Sequence, residues 1–117
     1  MAAPNIVNVT TITGKTAVAI ASTSATAIVT NSAGSNKVLK INALYGGNIE
    51  STLSQDLTVD LYRGNTAYRF IPTVTIPAKA TLDIISKPIY LEEGDSLRLT
   101  ASVNSKIEVL CSYEEIS

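Results

Sequence analysis

The chain contains no histidine and no tryptophan, a single cysteine and almost no net charge. Each scarcity removes a class of function. Without an imidazole there is no usual general base, no Ser-His or Cys-His nucleophile system, and no commonest metal ligand. One cysteine, Cys111, leaves no internal disulfide, and with no histidine beside it there is no zinc site. Nine basic and ten acidic side chains create no field strong enough to neutralise a phosphate backbone, so no nucleic-acid partner is expected. Gly46-Gly47 has neither a lysine-serine pair nor a following helix, and is not a phosphate loop. The stretch 17–29 is too short and too polar to span a membrane, and no membrane partner is expected. The opening MAAPNIVNV lacks the basic region and apolar run of a signal peptide, which points to synthesis in a cytoplasm. In that setting the Asn8-Val9-Thr10 sequon is a chance match. No segment carries a 3.6-residue period of helix length, and no internal repeat is present.

What is present is a strand-rich composition. Thr, Ser, Val and Ile dominate, apolar residues make up 45% and charged residues 16%, the balance of a packed globule. At 117 residues there is material for one core, so a single domain over 1–117 is expected, its first residues forming an extended arm. The chain is organised around Tyr90–Tyr113, YLEEGDSLRLTASVNSKIEVLCSY. Leu97, Leu99 and Ala101 alternate with polar residues, as do Ile107, Val109, Cys111 and Tyr113, which is the pattern of half-buried strands. With odd-numbered residues inward on both, a hairpin joined by Val103-Asn104-Ser105 is expected, placing Leu99 opposite Val109 and Leu97 opposite Cys111. The inward phase makes Cys111 a buried small hydrophobe.

Upstream, strands are expected over 5–13, ended by Gly14, then over 15–20 and 26–30. Residues 31–36 form a loop. A long strand over 37–45 carries Leu39, Ile41, Ala43 and Tyr45 on one face, followed by an irregular stretch over 46–56. Gly64-Asn65 reads as a two-residue hairpin turn. It sets Leu61 opposite Tyr68, Val59 opposite Phe70, and Asp60 opposite Arg69 as a solvated ion pair. Pro72 places its strand at a sheet edge or at a bend. A strand over 81–87 with Leu82 and Ile84 inward and a tight acidic turn at 92–95 complete the set. Eight or nine short strands with regular turns make an all-β chain, an antiparallel two-sheet β-sandwich. The missing Cys-Trp-Cys pattern of immunoglobulin domains favours a jelly-roll-like connectivity.

The sequence offers no catalytic, cofactor or metal residue, and no enzyme activity is expected. Glu92, Glu93 and Asp95 sit together in a turn instead of facing each other across a cleft, and read as a solvated acidic turn in preference to a calcium site. A carbohydrate-binding module is a competitor, but Tyr68, Phe70 and Tyr113 take inward phases and leave a thin aromatic platform of Tyr62 with Tyr45 or Tyr90. What remains is an interaction module. Val38, Leu44, Ile71, Ile85 and Leu110 interrupt otherwise polar faces, and with Ile49, Leu53 and Tyr62 they form the candidate contact set.

Three stretches carry a resemblance: MAAPNIVNVTTITGKT at the start, LTVDLYRG in the middle, and KPIYLEEGDSLRLTAS with SYEEIS at the end. They resemble small virion structural proteins of tailed phages, especially T4-like phages of marine cyanobacteria. The resemblance runs along most of the chain and brings no catalytic motif. It implies a virion component made in the host cytoplasm, of capsid decoration (cement) type or else a neck, tail or fibre accessory. The major capsid protein or other virion proteins would be its partners, and a homo-oligomer, a trimer, its state.

Overall fold

The structure, a computed structural model, describes residues 9–117. The expected arm and the beginning of the first expected strand lie outside the described residues. Among the described residues nine strands occur in the order β1 Ile12–Ile20, β2 Thr26–Thr30, β3 Val38–Asn48, β4 Gln55–Arg63, β5 Thr66–Ile76, β6 Thr81–Asp83, β7 Ile89–Leu91, β8 Ser96–Ala101 and β9 Ile107–Ile116. They form two antiparallel sheets. Sheet A has the order β1-β9-β3-β6, with β7 also pairing β3, and sheet B has the order β2-β8-β4-β5.

That order is the one obtained by folding the chain as one long hairpin and rolling it up. The outermost segments pair first, β1 with β9 and β2 with β8; the inner ones come next, β3 with β6 and β7, then β4 with β5. Rolling then brings β9 beside β3 and β8 beside β4. This is jelly-roll connectivity, as expected from the sequence.

The expected hairpin between residues 97 and 111 does not exist. β8 belongs to sheet B and β9 to sheet A. Leu97, Leu99, Val109 and Cys111 are all buried, so their facing agrees with the alternation while their pairing does not. An odd inward phase on two successive strands fits a three-residue hairpin equally with two strands facing each other across a sandwich. Leu97 and Leu99 are registered instead with Leu61 and Val59 of β4.

Bulges explain most of the other departures. One extra residue, Asn42, interrupts the β3–β9 ladder between Ile41 and Ala43. A bulge reverses the inward phase of the residues beyond it. The inward residues are therefore Leu39 and Ile41 before it, and Leu44, Gly46 and Asn48 after it, while Tyr45 turns out to solvent. The strand runs on through Gly46-Gly47, which shrinks the expected irregular stretch to residues 49–54. Gly46 belongs there because a Cβ would lie 3.1 Å from Ile76 Cδ1 and 3.2 Å from Leu57 Cδ2.

The β4–β5 hairpin turns at Gly64-Asn65 with φ of 58° and 61°, and Leu61 faces Tyr68 as expected. Two register shifts lie beyond that pair, so Val59 faces Ile71 instead of Phe70. Tyr68 and Phe70, expected inward, are exposed. Asp60 is not paired with Arg69; its register partner is Arg98 of β8. Pro72 lies in β5, the edge strand of sheet B, and β5 stays in that sheet to its end. β1 runs unbroken through Gly14, and the expected strand over 81–87 ends at Asp83.

Candidate interaction surface

The two sheets differ in what they present to solvent. On β1, Ala17 and Ala19 pack against the core, so Val18 and Ile20 point outward. Val18 is registered with Leu110 of β9, and Leu110 with Tyr45 of β3, which makes one apolar row across three strands. The next row is Ile20, Glu108, Gly47 and Thr81. Gly47 has no side chain, and the row sinks there into an open groove of about 990 Å³. Val18, Ile20, Tyr45, Ile49, Lys79 and Leu110 line it. Val18 is 74% exposed and Ile20 60%, values that nothing in the fold requires.

The groove's far wall is held by a buried amide. Asn48 is 2% exposed; its Nδ2 donates to the carbonyls of Leu53 (3.0 Å) and Ile76 (2.9 Å), and its Oδ1 accepts from the Glu50 N–H (2.9 Å). The Asn48 N–H donates to Ala80 O at 2.9 Å, tying the Lys79 turn to the same point. Ile49 N–H donates to Lys106 O at 2.9 Å, and the Lys106 ammonium reaches Glu50 at 3.6 Å. Ile49 is thereby presented from a braced segment.

Sheet B's outer face is closed on itself. Arg98 Nε donates to Asp60 Oδ1 at 2.9 Å, and the guanidinium lies 4.0 Å from the centre of the Tyr62 ring. Asp60 is buried beneath them.

The acidic turn is built differently from the solvated turn expected. Asp95 is 1% exposed and accepts from Arg63 Nε at 2.7 Å, Arg63 Nη2 at 2.5 Å and the Glu92 N–H at 2.8 Å. Burial by itself raises the Asp95 carboxyl's pKa; the Arg63 hydrogen bonds, the Glu92 N–H and the Arg63 charge together outweigh it and hold the group below the usual carboxylate range. Glu92 also accepts from Arg63, at 2.9 Å, whereas Glu93 accepts from the Asn36 N–H at 3.0 Å. The three carboxylates do not converge on one point. Among the described residues no three or more acidic or cysteine side chains converge as a metal site. Cys111 is fully buried, and burial pushes its thiol up to about 11.

Of the eight candidate contact residues, Leu110 and Ile49 line the groove and Leu53 is exposed on the adjoining loop. Tyr62 is half-buried against Arg98, and Ile71 is half-buried against the core, drawn in by the β5 bulges. Val38, Leu44 and Ile85 are corrected: all three are buried. Leu44 turns inward because of the bulge at Asn42, and Ile85 because the chain leaves β6 after Asp83, where the Ile84 N–H donates to Leu44 O at 2.8 Å. The sequence reading missed Val18 and Ile20, and placed Tyr45 only as a candidate aromatic platform, where it is indeed exposed. The alternation of alanine with Val18 and Ile20 was the available signal, since alanine suits the side facing a close neighbour. The exposed aromatics are spread over β3 (Tyr45), β5 (Tyr68 and Phe70) and β7 (Tyr90).

No protein-family model matches the chain, and no curated protein is similar to it at a significant level. Solved structures do share its fold. A chain from the acidic stable capsid structure of Helicobacter pylori bacteriophage KHP30 superposes with a TM-score of 0.57 at 7% identity, covering 94% of this chain and 90% of that one. A chain from Bacillus endospore appendages, described as a novel family of disulfide-linked pili, superposes with a TM-score of 0.53 at 12% identity, covering 92% and 88%. At such identities the likeness establishes the fold and nothing finer.

Proposed function

We propose that this chain is a phage virion structural protein without enzymatic activity, a capsid decoration protein that stabilises the assembled shell. The observation that carries the reading is the apolar row Val18, Leu110 and Tyr45 with its groove, an exposed surface that the monomer's own packing does not use. The fold it shares with a chain of a phage capsid structure and with a pilus chain supports an assembly role. The resemblance of the three stretches to virion proteins of T4-like cyanobacterial phages supports the virion. Burying the groove against the major capsid protein, or another virion protein, favours the assembled state by mass action.

The test is made on purified particles. Particles carrying the protein should release their genome at a higher temperature than particles without it, and Val18→Ser with Leu110→Ser should be lost on washing. Particles equally heat-resistant without the protein would remove the cement role. Hundreds of copies per particle mark a head protein, whereas a few dozen or fewer would move it to the neck, tail or fibre. A threefold homo-oligomer is part of the reading from resemblance; the outer edge of β1, unpaired among the described residues, favours a twofold contact instead.

A further inference from the structure

Among the described residues the sandwich has four sheet edges, and three are blunted. β5 carries Pro72, Arg69 and two register shifts. β2 is five residues long with a bulge. β6 and β7 are three residues each, with Lys87-Pro88 between them. Proline, charge, shortness and bulges are the usual means of preventing a sheet edge from pairing with another chain. β1 is the least protected of the four. It is nine residues long, without proline or register shift, and its one charged residue, Lys15, is engaged by Glu115 at 3.0 Å. Among the described residues its only ladder partner is β9, and the backbone groups on its other side face no described strand.

We infer that β1 is the pairing edge for a second copy of this chain, the two β1 strands running antiparallel about a twofold axis at Thr16. The side chains select both the partner and the register. The outward-facing residues are Ile12, Gly14, Thr16, Val18 and Ile20, a strip that is nearly palindromic about its centre. With the axis at Thr16, Ile12 faces Ile20 of the partner subunit and Gly14 faces Val18 of the partner subunit, while the two Thr16 side chains meet. All nine residues of the strand are then paired. Nothing lies within 4 Å of the place where a Gly14 Cβ would be, so the opposing valine enters open space. The other side of the strand agrees, because Lys15 falls opposite Ala17 of the partner subunit. Moving the axis to Lys15 would set two ammonium groups directly opposite each other, which is unfavourable. Moving it to Ala17 would leave Ile12 beyond the end of the partner strand. An interface that uses one patch twice is isologous and closes at two copies. It joins two A sheets edge to edge and continues the apolar row of one groove towards the other.

The inference concerns the free protein and stands apart from the virion reading, so either can fail alone. Light-scattering mass of the full chain across a concentration series should rise from one copy to two. Thr16→Cys should form a disulfide-linked dimer under mild oxidation, since the native Cys111 is buried, whereas Thr73→Cys on the blunted β5 edge should not. Thr16→Lys, its fold checked by circular dichroism, should weaken the dimer about fivefold or more. A single-copy mass at every concentration would overturn the proposal. So would equal cross-linking at Thr16→Cys and Thr73→Cys, or a dimer indifferent to Thr16→Lys.

Discussion

The outer faces of the two sheets have similar pleats and opposite fates. On sheet B the outward polar groups meet one another: Asp60, Arg98 and Tyr62 form a stack in which the carboxylate is 2% exposed. On sheet A the outward apolar groups around Leu110 have only one another as neighbours and stay partly exposed. The first face is committed to holding the monomer together. The second contributes less to folding, because much of its apolar area stays in water in both states and remains to be buried on a partner. Hydrophobicity alone does not separate an interface from a core residue; what separates them is whether the fold itself provides a cover.

The contrast predicts a graded response to mutation. The largest effect belongs to sheet B: Arg98→Ala leaves the buried Asp60 carboxylate uncompensated and should cost about 3 kcal/mol in urea denaturation. A loss near zero would mean that this face is no more committed than the other.

Arg63→Ala should cost about 2 kcal/mol, less than Arg98→Ala because the Arg63 side chain is half exposed while its Asp95 partner is buried. Its pH dependence has a definite sign. In the native protein the Asp95 pKa is depressed, so its stabilisation is present above the unfolded-state value of about 3.9 and is lost as pH falls through the lower folded value. Without Arg63, burial dominates and favours the protonated form. The stability gap between native protein and variant should therefore narrow as pH falls, first through the variant's raised Asp95 value and then below about pH 4 as the native protein loses its own term, and a constant gap would contradict the assigned role of Arg63.

Gly46→Ala tests the inward side of the strand that bears the groove. Its Cβ would press on Ile76 and Leu57, and a cost of about 1 to 2 kcal/mol is expected in thermal denaturation. The smallest effect on stability belongs to the exposed face itself. Leu110→Ser should stay within about 0.5 kcal/mol of the native protein, while weakening retention on particles. A large loss of stability there would show that the monomer does use this face.

Alternation made the strands and their buried sides legible before any coordinates. Leu97, Leu99, Ile107, Val109 and Cys111 all lie where their spacing puts them, and the Gly64-Asn65 turn is where its residues require it. The misreadings trace to two physical causes. A bulge inserts one residue and reverses every facing beyond it, as Leu44, Tyr45 and Ile71 record, and Asn42 carries no sequence mark that announces one. Long-range pairing is the other cause: β8 and β9 are neighbours in the chain, yet they take their partners from β2, β4, β1 and β3.

The clamps were hidden for a related reason. Asn48, in a stretch rich in polar residues, reads as loop. Only the approach of Ile76, Leu53 and Ala80 turns it into a buried, fully used amide. Asp95 reads as one of a cluster of solvated acids until Arg63, distant in sequence, closes on it.

By itself the sequence determined that this chain is built of half-buried strands around one core, and that it lacks the imidazole on which much of enzyme chemistry relies. Those properties arise from residue type and from a period of two, both of which are local. Which strands pair, which sheet each joins, and whether an outward valine is covered or left bare were decided only in the folded state. They depend on contacts between residues far apart in the chain, and each bulge resets the phase from which facing is read.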